Sequence, residues 1–337
     1  MRVFLTGGTG LIGRGIVRRL LERNDRPVVL TRDPERAAER LGGASAELVH
    51  GDPMTPGSWQ ESVSGCDAVI NLAGENLFDQ RWSRDVKRSL RESRVYGTGN
   101  VVAAIARAGA RPKVLVQGSA IGYYGPRGDE EIDESSLAGS DFLATICRDW
   151  EEAAKPAREL GLRVPIVRTG VVLARGRGAL GVMAPIFRRL PLGAAPVGNG
   201  GSAFAPASGR QWLSWIHVDD IVGLFMLALD APEATGPVNG TAPNPVRNIE
   251  FGRALAQVLR RDFPYTPWFF LPVGPPDFVL KLALGEVADV VVKGQRVLPT
   301  VAQRLGYCFQ YPDLSAALSQ IYRSAGEKAG ARAAARA

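Results

Sequence analysis

The chain reads as an α/β protein, with a Rossmann-type doubly wound parallel sheet and a smaller C-terminal α/β substrate domain. Three observations predict it. Short apolar runs alternate with helical patterns through the first half of the chain. Those runs are continuously apolar, as strands covered on both faces require. A glycine-rich turn, Thr6-Gly7-Gly8-Thr9-Gly10-Leu11-Ile12-Gly13, follows the first run directly and opens a helix.

Arg2–Thr6 is the first strand, ended by Gly7. Leu11 to Arg23 is a helix whose apolar face is Leu11, Ile12, Val17, Leu20 and Leu21. Pro27–Thr31, Leu48–Asp52 and Ala68–Ala73 are the next strands, and a polar helix spans Ser83–Ala108. Lys113–Gly118 is a strand, Asp141–Leu160 a helix and Arg163–Leu173 a further strand. From Arg175 onward glycines punctuate the chain. Val197–Arg210 is rich in Gly, Ala, Ser and Pro and reads equally as a mobile loop over a site or as an insertion. Trp215–Leu229, Asn244–Leu259 and Pro275–Leu284 carry helical patterns. The division that follows gives residues 1–173 plus about 212–240 to dinucleotide binding and about 174–211 plus 241–322 to the substrate. Residues 323–337 form a flexible basic tail.

Composition narrows the function classes. The 337 residues are 45% hydrophobic and 22% charged, which is globular. No apolar run approaches the ~18 residues of a membrane span, and no signal peptide is expected. The cysteines, Cys66, Cys147 and Cys308, form no CxxC pair, which fits a reducing cytoplasm. Two histidines are too few for a His/Cys zinc site. The tail, where Arg323, Lys328, Arg332 and Arg336 face only Glu327, supplies +3 of the net charge of +7. The remainder is spread thinly, which argues against nucleic acid.

The glycine turn is the strongest motif. Its GxxGxxG spacing over Gly7, Gly10 and Gly13 lets backbone N–H groups and the helix N-terminus approach a pyrophosphate. Thr9, Leu11 and Ile12 belong to the same contact surface. The second strand ends Thr31-Arg32, where an NAD site would place a carboxylate for the ribose 2′-hydroxyl. Arg32 instead suits a 2′-phosphate, favouring NADP(H) over NAD(H), unless Asp33 serves the ribose. Asp52 is placed to meet the adenine edge. Leu72, Ala73 and Gly74 end the fourth strand beside the cofactor.

With these motifs, the chain resembles the short-chain dehydrogenase/reductase superfamily in its extended, epimerase-like form. More narrowly it resembles the atypical YfcH-like epimerase family, some of whose members are described as SulA-like cell-division proteins. The resemblance runs from Met1 to about Tyr322. It rests on Gly7–Gly13, Asn71-Leu72-Ala73-Gly74-Glu75-Asn76, Ser93-Arg94, Arg168-Thr169-Gly170-Val171-Val172-Leu173, Trp215-Ile216-His217-Val218-Asp219-Asp220 and Gln295-Arg296-Val297-Leu298-Pro299. It implies NADP binding, with Arg94 and Val172 as added cofactor contacts. It also leaves open a protein partner in place of turnover.

Ordinary members of the superfamily use a Tyr-x-x-x-Lys pair on one helix face, the lysine lowering the phenol's pKa. None of the seven tyrosines here is followed four residues on by lysine. Ser119 stands where the substrate-side hydroxyl is expected. Tyr124 or its neighbour Tyr123 is the nearest phenol, so Ser119 and Tyr124 are the catalytic candidates. His217-Val218-Asp219-Asp220 suggests a helix start capped by Asp219 or Asp220 rather than a metal site. The acidic run Asp129–Glu134 reads as a solvated loop. The function expected is an NADP(H)-binding oxidoreductase or epimerase-like protein on a small carbonyl or alcohol substrate. A catalytically silent NADP(H)-binding regulator is the alternative.

Overall fold

A computed structural model describes residues 1–77, 80–189, 209–259 and 294–322. The elements in chain order are β1 (Arg2–Thr6), α1 (Leu11–Glu22), β2 (Arg26–Thr31), α2 (Pro34–Arg40), β3 (Glu47–His50), β4 (Ala68–Asn71), α3 (Arg84–Arg107), β5 (Val114–Ala120), β6 (Glu131–Ile132), α4 (Phe142–Ala154) and α5 (Pro156–Glu159). They continue with β7 (Pro165–Thr169), β8 (Val171–Ala174), α6 (Gly178–Arg189), β9 (Trp212–Leu213), β10 (Trp215–His217), α7 (Val218–Asp230), β11 (Gly236–Gly240), β12 (Val246–Arg247), α8 (Asn248–Leu259), β13 (Arg296–Val297) and α9 (Thr300–Arg304). A last helix covers 314–322.

Seven strands form one parallel sheet in the order β11-β7-β5-β4-β1-β2-β3. The order reverses between β1 and β4, which opens a crevice at the carboxyl ends of those strands. Alternate residues of β1 feed two cores. Val3 and Leu5 pack with Ile16 and Leu20 of α1 and Ile221 and Phe225 of α7. Phe4 packs on the other face with Trp59, Val101, Ile105 and Leu115. A separate cluster joins Leu180, Trp215, Phe251, Leu255 and Leu318 beyond the sheet edge.

Helix starts follow local polar chemistry. Asp33, Ser83 and Asp141 accept the amides of Arg36, Val86 and Ala144 at 2.9, 3.2 and 2.8 Å. α1 has no such cap, because Gly10 has no side chain to supply one.

Several elements differ from expectation. The helix expected over Asp141–Leu160 breaks before Pro156, whose ring cannot continue the hydrogen-bond ladder. The strand expected over Arg163–Leu173 divides at Gly170, where a Cβ would lie 2.7 Å from the Ser214 carbonyl oxygen. Trp215–His217 is a strand and not a helix start, pairing with β8. The helix expected from Asn244 begins at Asn248, after β12. The cap of α7 is not Asp219 or Asp220 but His217, whose Nδ1 accepts the Asp219 amide at 3.1 Å. Asp220 is buried and accepts the amides of Gln310 and Tyr311 at 2.8 and 3.0 Å. α6 and β11 were not expected. The Pro275–Leu284 helix, the 197–210 loop up to residue 208 and the tail lie outside the described residues.

His217 generates a pH prediction. Its ring is buried, and its Nε2 faces Gln320 Oε1 at 3.0 Å, with Tyr311 tilted against it at 4.0 Å. Burial pushes its pKa below the ordinary value, outweighing the nearby Asp219. The unfolded chain therefore binds a proton that the folded one refuses. Stability is expected to be full above an ordinary histidine pKa of about 6.5 and to fall as pH drops below it. Denaturant titrations at pH 7.5 and 5.5 should show that loss, and His217→Asn, which keeps a capping acceptor, should remove most of it.

Candidate functional site

The site is built at the crevice where the sheet order reverses. Gly7 has φ +67°, and a Cβ there would lie 2.9 Å from the Leu72 backbone. A Cβ on Gly13 would lie 2.3 Å from the Gly7 carbonyl oxygen. These contacts press α1 against β1 and β4. A Cβ on Gly10 would meet only the Gly7 oxygen, at 3.1 Å, so the uncapped first turn stays approachable. Thr9, Leu11 and Ile12 sit on that turn. Ile12, Leu72 and Val172 all pack at the margin of one core cluster, which unites the turn, the end of β4 and β8.

A buried polar set fixes the strand ends beneath the turn. The Thr6 hydroxyl donates to Asn71 Oδ1 at 2.5 Å and accepts the amides of Leu72 and Ala73 at 3.1 and 3.0 Å. Asn71 Nδ2 donates to Thr98 and Gln117, at 2.8 and 2.9 Å. Sequence reasoning missed Thr6, Thr98 and Gln117, since a polar residue inside a strand or helix gives no sign of its partner.

Thr31 and Arg32 lie at the carboxyl end of β2. Asp33 is occupied as the α2 cap. Arg32 is largely exposed, with Nη1 3.9 Å from Asp52 Oδ2, a separation worth little in water. Asp52 also caps its own turn, accepting the Met54 amide at 2.9 Å.

Arg94, on α3, is buried against Gly74, where a Cβ would stand 3.1 Å from its Cζ. It donates to the carbonyls of Leu90 and Glu75, both at 2.9 Å, and lies over the Trp150 ring. No carboxylate pairs with it among the described residues. Burial drives its pKa down, with distant help from Cys147 and Glu75 the other way. A buried cation held only by carbonyls at this edge fits an anionic or polyhydroxylated ligand.

α4 presents Leu143, Cys147 and Glu151 on one face at intervals of four. Leu143 Cβ and Cys147 Sγ are the atoms that a Cβ on Gly122 would meet, at 3.3 and 3.7 Å. The pair facing the end of β5 is therefore leucine and cysteine. Burial pushes the Cys147 thiol up to about 12, so it carries no charge at neutral pH.

Ser119 and Tyr124 are drawn into one buried network. Ser119 Oγ donates to Glu151 Oε1 at 2.7 Å. Arg168 grips Glu151 with Nε and Nη2, both at 2.8 Å, and gives Nη1 to the Tyr124 hydroxyl at 2.9 Å. That hydroxyl donates to Asn239 Oδ1 at 2.7 Å. Asn239 closes the chain by giving its backbone N–H to Glu134 Oε1 at 2.9 Å. Burial disfavours the Arg168 charge, but the Glu151 carboxylate more than restores it, leaving the pKa above the ordinary value. Burial pushes the Tyr124 phenol up to about 12. Glu134 is buried rather than solvated, contrary to the expectation for the run that it ends, and burial raises its pKa. The described residues contain no cluster of three or more metal-ligating side chains and no helix long and apolar enough to cross a membrane.

Residues 3–240 match the NAD dependent epimerase/dehydratase family, and residues 275–321 match a domain of unknown function, DUF1731. The chain is 43% identical over 324 residues to an Arabidopsis thaliana protein described as "Epimerase family protein SDR39U1 homolog, chloroplastic", covering 95% of this chain and 86% of that one. A crystal structure of human epimerase family protein SDR39U1 with NADPH superposes with a TM-score of 0.77 at 31% identity, over 96% of this chain and 99% of that one. The Thermus thermophilus UDP-glucose 4-epimerase complex with NAD, 19% identical, shares the fold with a TM-score of 0.73, over 96% of this chain and 99% of that one. The chain belongs to the NAD dependent epimerase/dehydratase family and has its NAD(P)-binding Rossmann-like fold. These descriptions name no cell-division role.

The network should act as a unit in folding. Glu151→Gln removes one partner of a buried pair and should cost about 3 kcal/mol or more. Tyr124→Phe leaves Asn239 and Arg168 each one bond short and should cost about 1–2 kcal/mol. Urea titrations of the two variants and their double mutant should show less than additive losses.

Proposed function

We propose that this member of the NAD dependent epimerase/dehydratase family is an NADP(H)-dependent oxidoreductase that acts on a small carbonyl or alcohol without a Tyr–Lys pair. The end of β2 carries the NADP(H) assignment. Asp33, the carboxylate next in sequence, is engaged through Oδ1 in capping α2, and the exposed position that follows β2 holds Arg32, a cation suited to a 2′-phosphate. The glycine turn fits a pyrophosphate for the reasons of contact given above.

When bound, the cofactor exchanges a hydride with the substrate carbon. The chain's part is binding and orientation. The free N–H groups of the first turn of α1 would hold the pyrophosphate, and Leu72, Ala73, Gly74 and Val172 would border the nicotinamide half. Arg94 supplies positive charge beside Gly74, the duty that the absent lysine would have had. Ser119 and Tyr124 act as positioning residues, because both hydroxyls are committed to Glu151 and Asn239. The phenol left for proton donation is Tyr123. It is half-buried, its hydroxyl bonds to no described residue, and its ring lies 3.4 Å from the Arg168 guanidinium carbon. A phenol donates readily to a developing alkoxide, and a cation on the ring face stabilises the phenolate left behind.

A second reading, a cofactor-holding protein without turnover, is favoured by Leu143 and Cys147 at the usual acid–base positions. NADPH oxidation across a panel of small aldehydes and ketones separates the two. Consumption that Tyr123→Phe abolishes supports the enzyme, and binding without consumption supports the second reading.

Fluorescence titration should show NADPH binding more tightly than NADH. Arg32→Glu should weaken NADPH by about tenfold or more, as expected for a lost charge-assisted phosphate contact, while leaving NADH little changed. Equal affinity for both nucleotides in the parent protein would remove the NADP(H) assignment.

A further inference from the structure

The turn after β5 faces an apolar wall. A Cβ on Gly122, the neighbour of Tyr123, would lie 3.3 Å from Leu143 Cβ, 3.8 Å from Leu143 Cδ1 and 3.7 Å from Cys147 Sγ. Phe142, the first residue of α4, extends this wall. Its ring meets that of Trp82 edge-on at 5.2 Å, and Lys87 Nζ stands 4.9 Å from its centre. Trp82 spends its one polar atom on the Leu77 carbonyl, at 2.9 Å. Trp82, Phe142 and Leu143 are each only half-buried, so part of their apolar surface stays in reach of a ligand.

The polar groups beside this wall are turned inward. The Ser119 hydroxyl donates to Glu151 and the Tyr124 hydroxyl to Asn239, while Arg168 divides its donors between Glu151 and Tyr124. Asn239 Nδ2 goes to the Leu298 carbonyl at 2.9 Å. Of the hydroxyls of Ser119, Tyr123 and Tyr124, that of Tyr123 is the one without a partner among the described residues. A ligand hydroxyl leaves its hydrogen bonds to water behind on binding, and each one left unmatched costs about tenfold or more in affinity. An apolar body makes no such demand and gains by leaving water.

We propose that the site takes a carbonyl compound with an apolar, aryl or alicyclic body and rejects polyhydroxylated carbonyl compounds. The Tyr123 hydroxyl holds the carbonyl oxygen, and Leu143 and Phe142 hold the body. This rests on the oxidoreductase reading above and deepens it by naming the substrate class. One polar contact fixes where the carbonyl sits, and the wall of α4 decides what is attached to it. Leu143, at a position where an acid–base residue is usual, is thereby a specificity-determining residue.

The test compares pairs of similar size on the full chain with NADPH: benzaldehyde with erythrose, and cyclohexanone with dihydroxyacetone. Binding is read by saturation-transfer NMR and turnover by NADPH oxidation. The apolar member of each pair should bind about tenfold or more tightly, with kcat/KM higher to match. Leu143→Asn should remove most of that preference by raising KM for the apolar member while kcat changes little. Phe142→Gln, further along the wall, should act in the same sense and keeps the test open if Leu143 is needed for folding, which melting temperatures report. Equal or tighter binding of the polyhydroxylated members, or an unchanged preference in both variants, overturns the proposal and leaves the oxidoreductase reading standing. Preferred binding of the apolar members without NADPH oxidation upholds the ligand class and overturns the oxidoreductase reading. Binding of neither member of either pair overturns the proposed ligand class.

Discussion

The Arg168–Glu151 pair is the constraint on which the substrate side of the sheet depends. Arg168 sits in β7 and Glu151 in α4, and both are almost wholly buried. Their mutual attraction roughly repays the cost of taking two charges out of water, so the pair adds little net stability. What it supplies is placement. Through Ser119, Tyr124 and Asn239 it ties β5, the turn after β5, and β11 to a single geometry. A slip of any one element would strand a charge or a hydroxyl in the interior. The penalty for misplacement is therefore large although the reward for correct placement is small.

The glycine turn imposes a complementary constraint. It works through absent atoms, since Cβ atoms on Gly7 and Gly13 would strike the backbone of Leu72, just after β4, and of the turn itself. The result is a helix start left without a side-chain cap, which is a local cost that a bound pyrophosphate can offset. On the network side the hydroxyls of Ser119 and Tyr124 are spent internally. On the turn side the backbone donors of the first turn of α1 and the exposed Arg32 are left over. Binding capacity and internal satisfaction are thus divided between two halves of one crevice.

That division explains what could be read from the chain alone. The turn is legible because its glycines lie within seven residues and their spacing fixes their geometry. The parallel strands are legible because burial on both faces writes continuous apolar runs. The network is not, because Glu151 and Arg168 lie seventeen positions apart in different elements, and each taken alone reads as an ordinary charge. Glu134 misled in the same way, ending an acidic run that looked solvated. His217 as the cap of α7, and the break at Gly170, follow from tertiary contacts with Gln320 and Ser214 that no local pattern announces.

The substitution of Leu143 and Cys147 for a phenol and an ammonium shifts where charge enters the crevice. A lysine on α4 would place its cation beside the phenol and the ribose together. Here the nearest buried cation is Arg94, reaching from α3 across Gly74, and a second, Arg168, lies under the ring of Tyr123. Under the proposed function, the two duties of the missing lysine, holding the ribose and stabilising a phenolate, would be separated onto two arginines from different elements. An arginine cannot lose its proton at accessible pH, so neither can serve as an acid or a base. Under the proposed function the proton would therefore come from Tyr123, from water or from the substrate and not from either arginine.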